Sequence, residues 1–226
     1  MGEKQRIALT LSAFLVVAMF VLSAWAWLLI PPDQPIPVHW GIDGQPDRYG
    51  SKAEAMLVTP LLAVLITAVF AFIPRLESRK ENFAASSRAY AVMWVAVITF
   101  LGAVHVVLVS TALGTPIDVL VVMPAAVGLL FIVIGSELGH TKSNHFMGIR
   151  TPWTLSSELS WEYTHRFGGR AFMTEGALLL LAGLLRSEAL LLAVLVVGTP
   201  LMIAILILYS YVTWKNDPNR SGATPR

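Results

Sequence analysis

Residues 7–30 run for twenty-four positions without one charged side chain. At a rise of ~1.5 Å per residue, a helix of that length crosses a ~30 Å hydrocarbon layer. Comparable apolar runs recur at 53–73, 89–113, 117–134, 171–185 and 189–214, with polar segments between them. No water-soluble core absorbs so much apolar chain: of 226 residues 56% are hydrophobic and 13% charged, and the mean hydropathy is +0.68. The pattern predicts an all-α, polytopic membrane protein with six transmembrane helices. Cysteine is absent, which excludes disulfides, thiolate nucleophiles and Cys-ligated metals. The formal charge of +2 is small and its basic residues are dispersed, so no direct nucleic-acid partner is expected.

The first run has a rival reading as a cleaved signal peptide, because Ala24-Trp25-Ala26 has the small-x-small form, but the apolar stretch continues past it. Pro31, Pro32, Pro35 and Pro37 then end the helix and stiffen an extended approach. Pro60 falls in the first turns of the second run, and Pro200 should kink the sixth. The side facing the cytoplasm follows from the cations. With the N-terminus inside, thirteen of the sixteen Lys and Arg, from Lys4 to Arg226, fall in cytoplasmic segments, leaving Arg48, Lys52 and Arg186 outside. The positive-inside bias therefore predicts both termini in the cytoplasm, an outer loop after helix one and an inner amphipathic insert after helix four. Residues 1–88 read as a two-helix module with its outer loop at 31–53, and 89–226 as a four-helix module with its inner insert at 135–171. Each set of three helices carries its long loop after its first helix, a form seen in inverted repeats, without a residue-level repeat to support it.

The outer loop contains His39, Trp40, Asp43, Asp47 and Tyr49. Asp43-Gly44 suits a tight turn with glycine at positive φ. Were the loop to fold back, His39, Asp43 and Asp47 would converge as a divalent-metal or acid/base set. The alternative is a compact cap whose Asp side chains bond their own turn amides while Trp40 and Tyr49 anchor it at headgroup level. His105, inside the third run, is an intramembrane polar candidate that would serve a function or bond a Ser or Thr across the bundle.

The inner insert carries His140, Lys142, Asn144 and His145, then Arg150, Thr151, Trp153, Trp161 and His165. Leu155, Leu159, Tyr163 and Phe167 recur every fourth residue, predicting a short helix over 155–167 that Gly168-Gly169 ends. Arg150 suits a carboxylate or phosphate, or orients the chain with Arg166 and Arg170. Small residues Gly176, Ala182 and Gly183 permit close helix contact within or between chains.

Asn144, then Gly148-Ile149-Arg150-Thr151-Pro152-Trp153-Thr154, Trp161, Thr164-His165 and Gly168-Gly169, resembles the SdpI-type bacterial immunity proteins. The segment with Pro37-x-His39, Gly44, Asp47, Tyr49-Gly50-Ser51-Lys52 and Pro60 resembles the membrane domain of unknown function that commonly precedes that module. This resemblance implies a multi-pass protein of the bacterial plasma membrane that protects against a secreted, membrane-active toxic peptide. In the best-known system it also signals the toxin's presence by holding a transcriptional repressor at the membrane. It implies no assigned catalytic residue and no cofactor. The expectation is a binding and immunity or signalling module rather than an enzyme. The outer loop would meet a peptide or lipid-like ligand, and Asn144, Arg150, Thr151, Trp153, Trp161 and His165 would serve a ligand or cytosolic partner. The alternative is a membrane enzyme or transporter, with a metal at His39, Asp43 and Asp47 or a phosphorylated lipid held by Asn144, Arg150 and His165.

Overall fold

The computed structural model describes residues 1–220. Arg226, one of the cations in the orientation argument, lies outside the described residues. Helix α1 (Glu3–Leu29) ends where Pro31 and Pro32 withdraw two amide donors. The chain then forms an antiparallel hairpin, β1 (Ile36–Trp40) against β2 (Pro46–Gly50), with Ile36 facing Gly50 and Trp40 facing Pro46. The fold is all-α, as expected, with this two-stranded hairpin as a local feature of the loop after the first helix. Period-two Ile36, Val38 and Trp40, with Asp43-Gly44 between the strands, are the cause. At the tip Gly44 takes φ 73° and donates to Gly41 O at 3.0 Å, while Gly41 donates to Gln45 O at 2.9 Å.

Helix α2 (Lys52–Leu76) is capped by Ser51, whose hydroxyl accepts from the Glu54 amide at 3.2 Å, and it accommodates Pro60 and Pro74. A short α3 (Lys80–Ala85) leads into α4 (Ser87–Ala112). Helices α1, α2 and α4 pack as one three-helix unit. In lipid this packing rests on close van der Waals fit and interhelical hydrogen bonds rather than on water exclusion. Phe70 stacks on Trp94 with ring centroids 5.6 Å apart, and Tyr90 donates to Phe70 O at 2.6 Å. His105 is fully buried, and its Nε2 donates across the unit toward Ser23 Oγ (3.0 Å) and Met19 O (3.2 Å) of α1. The Ser23 hydroxyl in turn donates to Met56 O of α2 at 2.7 Å, so one polar layer ties three helices together.

The second unit comprises α5 (Val119–Leu138), α7 (Glu158–Leu184) and a last span made of α8 (Glu188–Leu192), a π-helical stretch (Ala193–Gly198) and α9 (Thr199–Lys215). Between α4 and this unit α5 makes the main bridge, and α6 (Pro152–Leu155) lies within the insert. The irregularity expected at Pro200 takes the form of the π-helical turn just before it, where the Thr199 amide donates to Val194 O. Glycines set the α5–α7 contact. A Cβ on Gly128 would lie 2.6 Å from Gly176 O, and one on Gly135 would lie 2.6 Å from Gly169 O. Side chains at these seven-residue intervals would hold the two backbones apart. The Gly168-Gly169 pair therefore does not terminate a helix: α7 runs unbroken through it, because here the missing Cβ serves interhelical approach. The contact of Gly176 and Gly183 is likewise within the chain.

Six helical segments among the described residues are long and apolar enough to span a bilayer. The chain is a multi-pass membrane protein, with the hairpin at one end of the bundle and the insert at the other.

Candidate functional site

At the insert end the conspicuous polar and aromatic residues are turned inward. Asn144 is fully buried, and its Oδ1 accepts from the amides of Phe146 and Met147 at 2.9 and 2.7 Å while its Nδ2 donates to Lys142 O at 2.9 Å. Such side-chain bonds to neighbouring backbone shape a loop that has no ladder of its own. His165 Nδ1 lies 2.8 Å from Trp161 O, which only accepts, so that nitrogen carries the hydrogen and Nε2 accepts from the Ile149 amide at 2.8 Å. Both ring nitrogens of His165 are thereby occupied within the protein. Trp161 stacks on this imidazole at 4.0 Å and donates its indole N–H to Thr141 O at 3.0 Å. Gly148, at φ 109°, passes so close to His165 that a Cβ would overlap the ring. Thr151 caps α6: its hydroxyl accepts from the Thr154 amide at 3.1 Å, and its own amide donates to Thr154 Oγ1 at 2.9 Å. Left outside this network are Arg150, exposed and bonded to His145 O at 2.5 Å, and half-buried Trp153, edge-on to Tyr211 at 5.2 Å.

The segment joining α2 to α4 is a second wall of this site, where sequence reading saw only a basic connector. Glu77 is 1% exposed and accepts from the Arg79 amide (2.7 Å), the His145 amide (2.9 Å) and the His145 ring (3.1 Å). Burial pushes its carboxyl upward, but these hydrogen bonds outweigh that and hold it below the usual 4.5. Arg79 reaches Ser143 and Leu155 O, and Ser86 accepts from the Lys142 amide at 2.8 Å. Arg88 lies 3.4 Å from Glu137, which is buried at the end of α5. Sequence reading also missed Glu175, buried inside α7 with the Thr199 hydroxyl of the π-helical turn as its partner. A lone acidic residue in an apolar run was the available signal.

The hairpin end is built otherwise. His39 Nδ1 and Asp47 meet at 2.6 Å with side chains 64% and 52% exposed. Asp43 does not join them; it accepts from the Gln45 amide at 3.0 Å, the turn bond of a compact cap. The three residues thus do not converge as one set, and among the described residues no group of three His, Cys, Asp or Glu side chains is gathered to hold a metal. Tyr49 is exposed, and Trp40 faces a cleft. That cleft, about 400 Å³, is roofed by the hairpin from Val38 to Gly44 and walled by Val104 of α4, Leu120 and Val127 of α5, Leu179 of α7 and Leu195 of the π-helical turn. Gly44 presses on Leu120 so closely that a Cβ would collide with it. Ile36, fully buried against Ala26, Met56 and Val109, pins the base of the roof to the first unit. A polar groove holding Asp43, Asp118 and Arg186 adjoins the cleft. A larger groove of about 770 Å³ between α1, α4 and α5 is apolar apart from Lys4 and Thr99 and contains none of the residues above.

Residues 140–212, from the insert through most of α9, match the SdpI/YfhL protein family, and residues 14–64, which include the hairpin, match a domain of unknown function, DUF1648. The chain thus carries an SdpI/YfhL family segment preceded by a DUF1648 segment. It is 25% identical over 205 residues to the immunity protein SdpI of Bacillus subtilis (strain 168), covering 89% of this chain and 94% of that one. No solved structure matches it. In SdpI/YfhL terms, the insert, α7 and most of the last span form the family segment, and the cleft lies where that segment meets the hairpin of the other.

Proposed function

We propose that this chain is an integral immunity protein of the bacterial plasma membrane, whose hairpin end faces outward and receives the apolar part of a membrane-active toxic peptide. The observation that carries the reading is the apolar cleft beneath the hairpin, lined from both family segments and open beside exposed His39 and Asp47. Pockets of this kind, apolar with a few polar groups at the rim, are where ligands bind. The relative named an immunity protein supplies the class of role. The excess of Lys and Arg in the insert, the α2–α4 connector and the two termini supports a cytoplasmic insert and cytoplasmic termini. In this reading Arg150 and Trp153 meet a cytosolic regulatory protein, and Asn144, Thr151, Trp161 and His165 hold them in place.

The test is a growth challenge of cells with and without the gene, using a panel of membrane-active peptides. The chain should raise the inhibitory concentration of at least one peptide, and Val127→Phe, which fills the cleft, should abolish that protection at unchanged expression. Equal killing with and without the gene across the panel overturns the role. Labelling of intact cells from outside should reach the segment around Trp40 and spare that around Trp153; the reverse pattern overturns the orientation.

A further inference from the structure

Six acidic residues sit at the hairpin end, namely Asp33, Asp43, Asp47, Glu54, Asp118 and Glu188, against three cations. All three cations are already engaged. Arg48 pairs with Glu54 at 2.5 Å and Arg186 with Asp118 at 2.9 Å. Lys52 donates to Ile30 O at 2.6 Å and lies over the Trp27 ring at 4.8 Å. Asp33, Asp43 and Glu188 are exposed and have no basic side chain within ion-pair distance among the described residues. The polar groove with Asp43 and Asp118 shares Gly44, Val119 and Leu120 with the apolar cleft, so the two form one continuous surface.

From this juxtaposition we infer that the cleft's ligand is a cationic amphipathic peptide segment, which seats an apolar side chain under the hairpin and places basic groups against Asp43 and its acidic neighbours. The inference rests on the proposed reading of the cleft as the ligand site and adds the charge of the ligand to it. An apolar lining alone would accept any hydrophobic chain; the unpaired carboxylates favour one sign of charge and disfavour the other. They also draw the ligand toward the cleft before contact, an effect that salt weakens.

The test uses the full chain in phosphatidylcholine nanodiscs, with empty discs as the control. Two fluorescent synthetic peptides share one apolar sequence and differ only in a terminal run of three Lys or three Glu. The Lys peptide should bind the protein at least tenfold more tightly than the Glu peptide, and the difference should shrink several-fold between 50 mM and 500 mM NaCl. Asp43→Asn keeps the turn acceptor, and together with Glu188→Gln it should remove most of the Lys peptide's advantage without changing expression. Equal binding of the two peptides, or a preference untouched by the double substitution, overturns the inference while leaving the cleft reading standing if Val127→Phe still blocks both. Binding of neither peptide beyond the empty discs overturns both.

Discussion

The two ends of the bundle use polar side chains in opposite ways. At the insert end Trp161, His165, Asn144 and Thr154 are at most 1% exposed, and their hydrogen-bonding groups are spent on backbone of the same loop or helix. At the hairpin end His39, Asp43, Asp47 and Tyr49 stand in the open around an apolar cleft. The assortment of residues that looks most like a site in the sequence is thus mostly buried and hydrogen-bonded within the protein. The plainer loop leaves its side chains exposed.

That contrast can be broken from either end. The largest effect is expected for Trp161→Ala, which removes a buried indole stacked on His165 and should cost about 3–5 kcal/mol of stability, read as a large fall in the thermal midpoint of purified protein. A midpoint within 2 °C of wild type would mean the insert is not held by its interior. Gly148→Ala comes next, at up to about 3 kcal/mol, because its φ of 109° strains any L side chain and its Cβ would overlap His165. Glu77→Gln should cost about 1–2 kcal/mol, since the amide replaces a buried acceptor of three bonds with a weaker one.

Glu77 also fixes a pH dependence. Its folded-state carboxyl lies below the usual 4.5, so its contribution is complete above that pH and is lost as the pH falls through the folded value. Acid titration of stability should therefore be shallower in Glu77→Gln than in wild type, and superimposable titrations would refute this role. The smallest effect on stability belongs to the other end. Tyr49→Ala, at a 56% exposed position, should stay within about 0.5 kcal/mol of wild type. A loss as large as that of Trp161→Ala would erase the distinction between the ends.

The six spans were legible because most of the apolar runs reach the length a bilayer core demands, and lipid leaves backbone polar groups no partner outside a helix or barrel. The hairpin was half legible. Asp43-Gly44 was seen as a turn with glycine at positive φ, but strands of five residues bearing Pro37 and Pro46 do not announce themselves among polar neighbours. Gly168-Gly169 misled because a glycine pair after an apolar line signals a helix stop locally, and only the facing Gly135 reveals its other use. Bonding of His105 to a Ser was among the expected outcomes, though which Ser depended on helix register. Glu77 was invisible for a different reason. A carboxylate beside Arg75, Arg79 and Lys80 reads as part of a solvated connector, and its burial depends on an insert sixty-eight residues away in sequence.

Because α7 passes through residues 168 and 169 without a joint, its twenty-seven residues form one strut of roughly 40 Å. Leu179 near the cleft and Trp161 in the insert ride on the same piece. Along α5 that strut is seated with backbone close against backbone at Gly128, Gly135, Gly169 and Gly176. Whatever displaces the strut beside the cleft therefore acts on the same piece that carries the insert, and the two ends of the bundle share a single mechanical part.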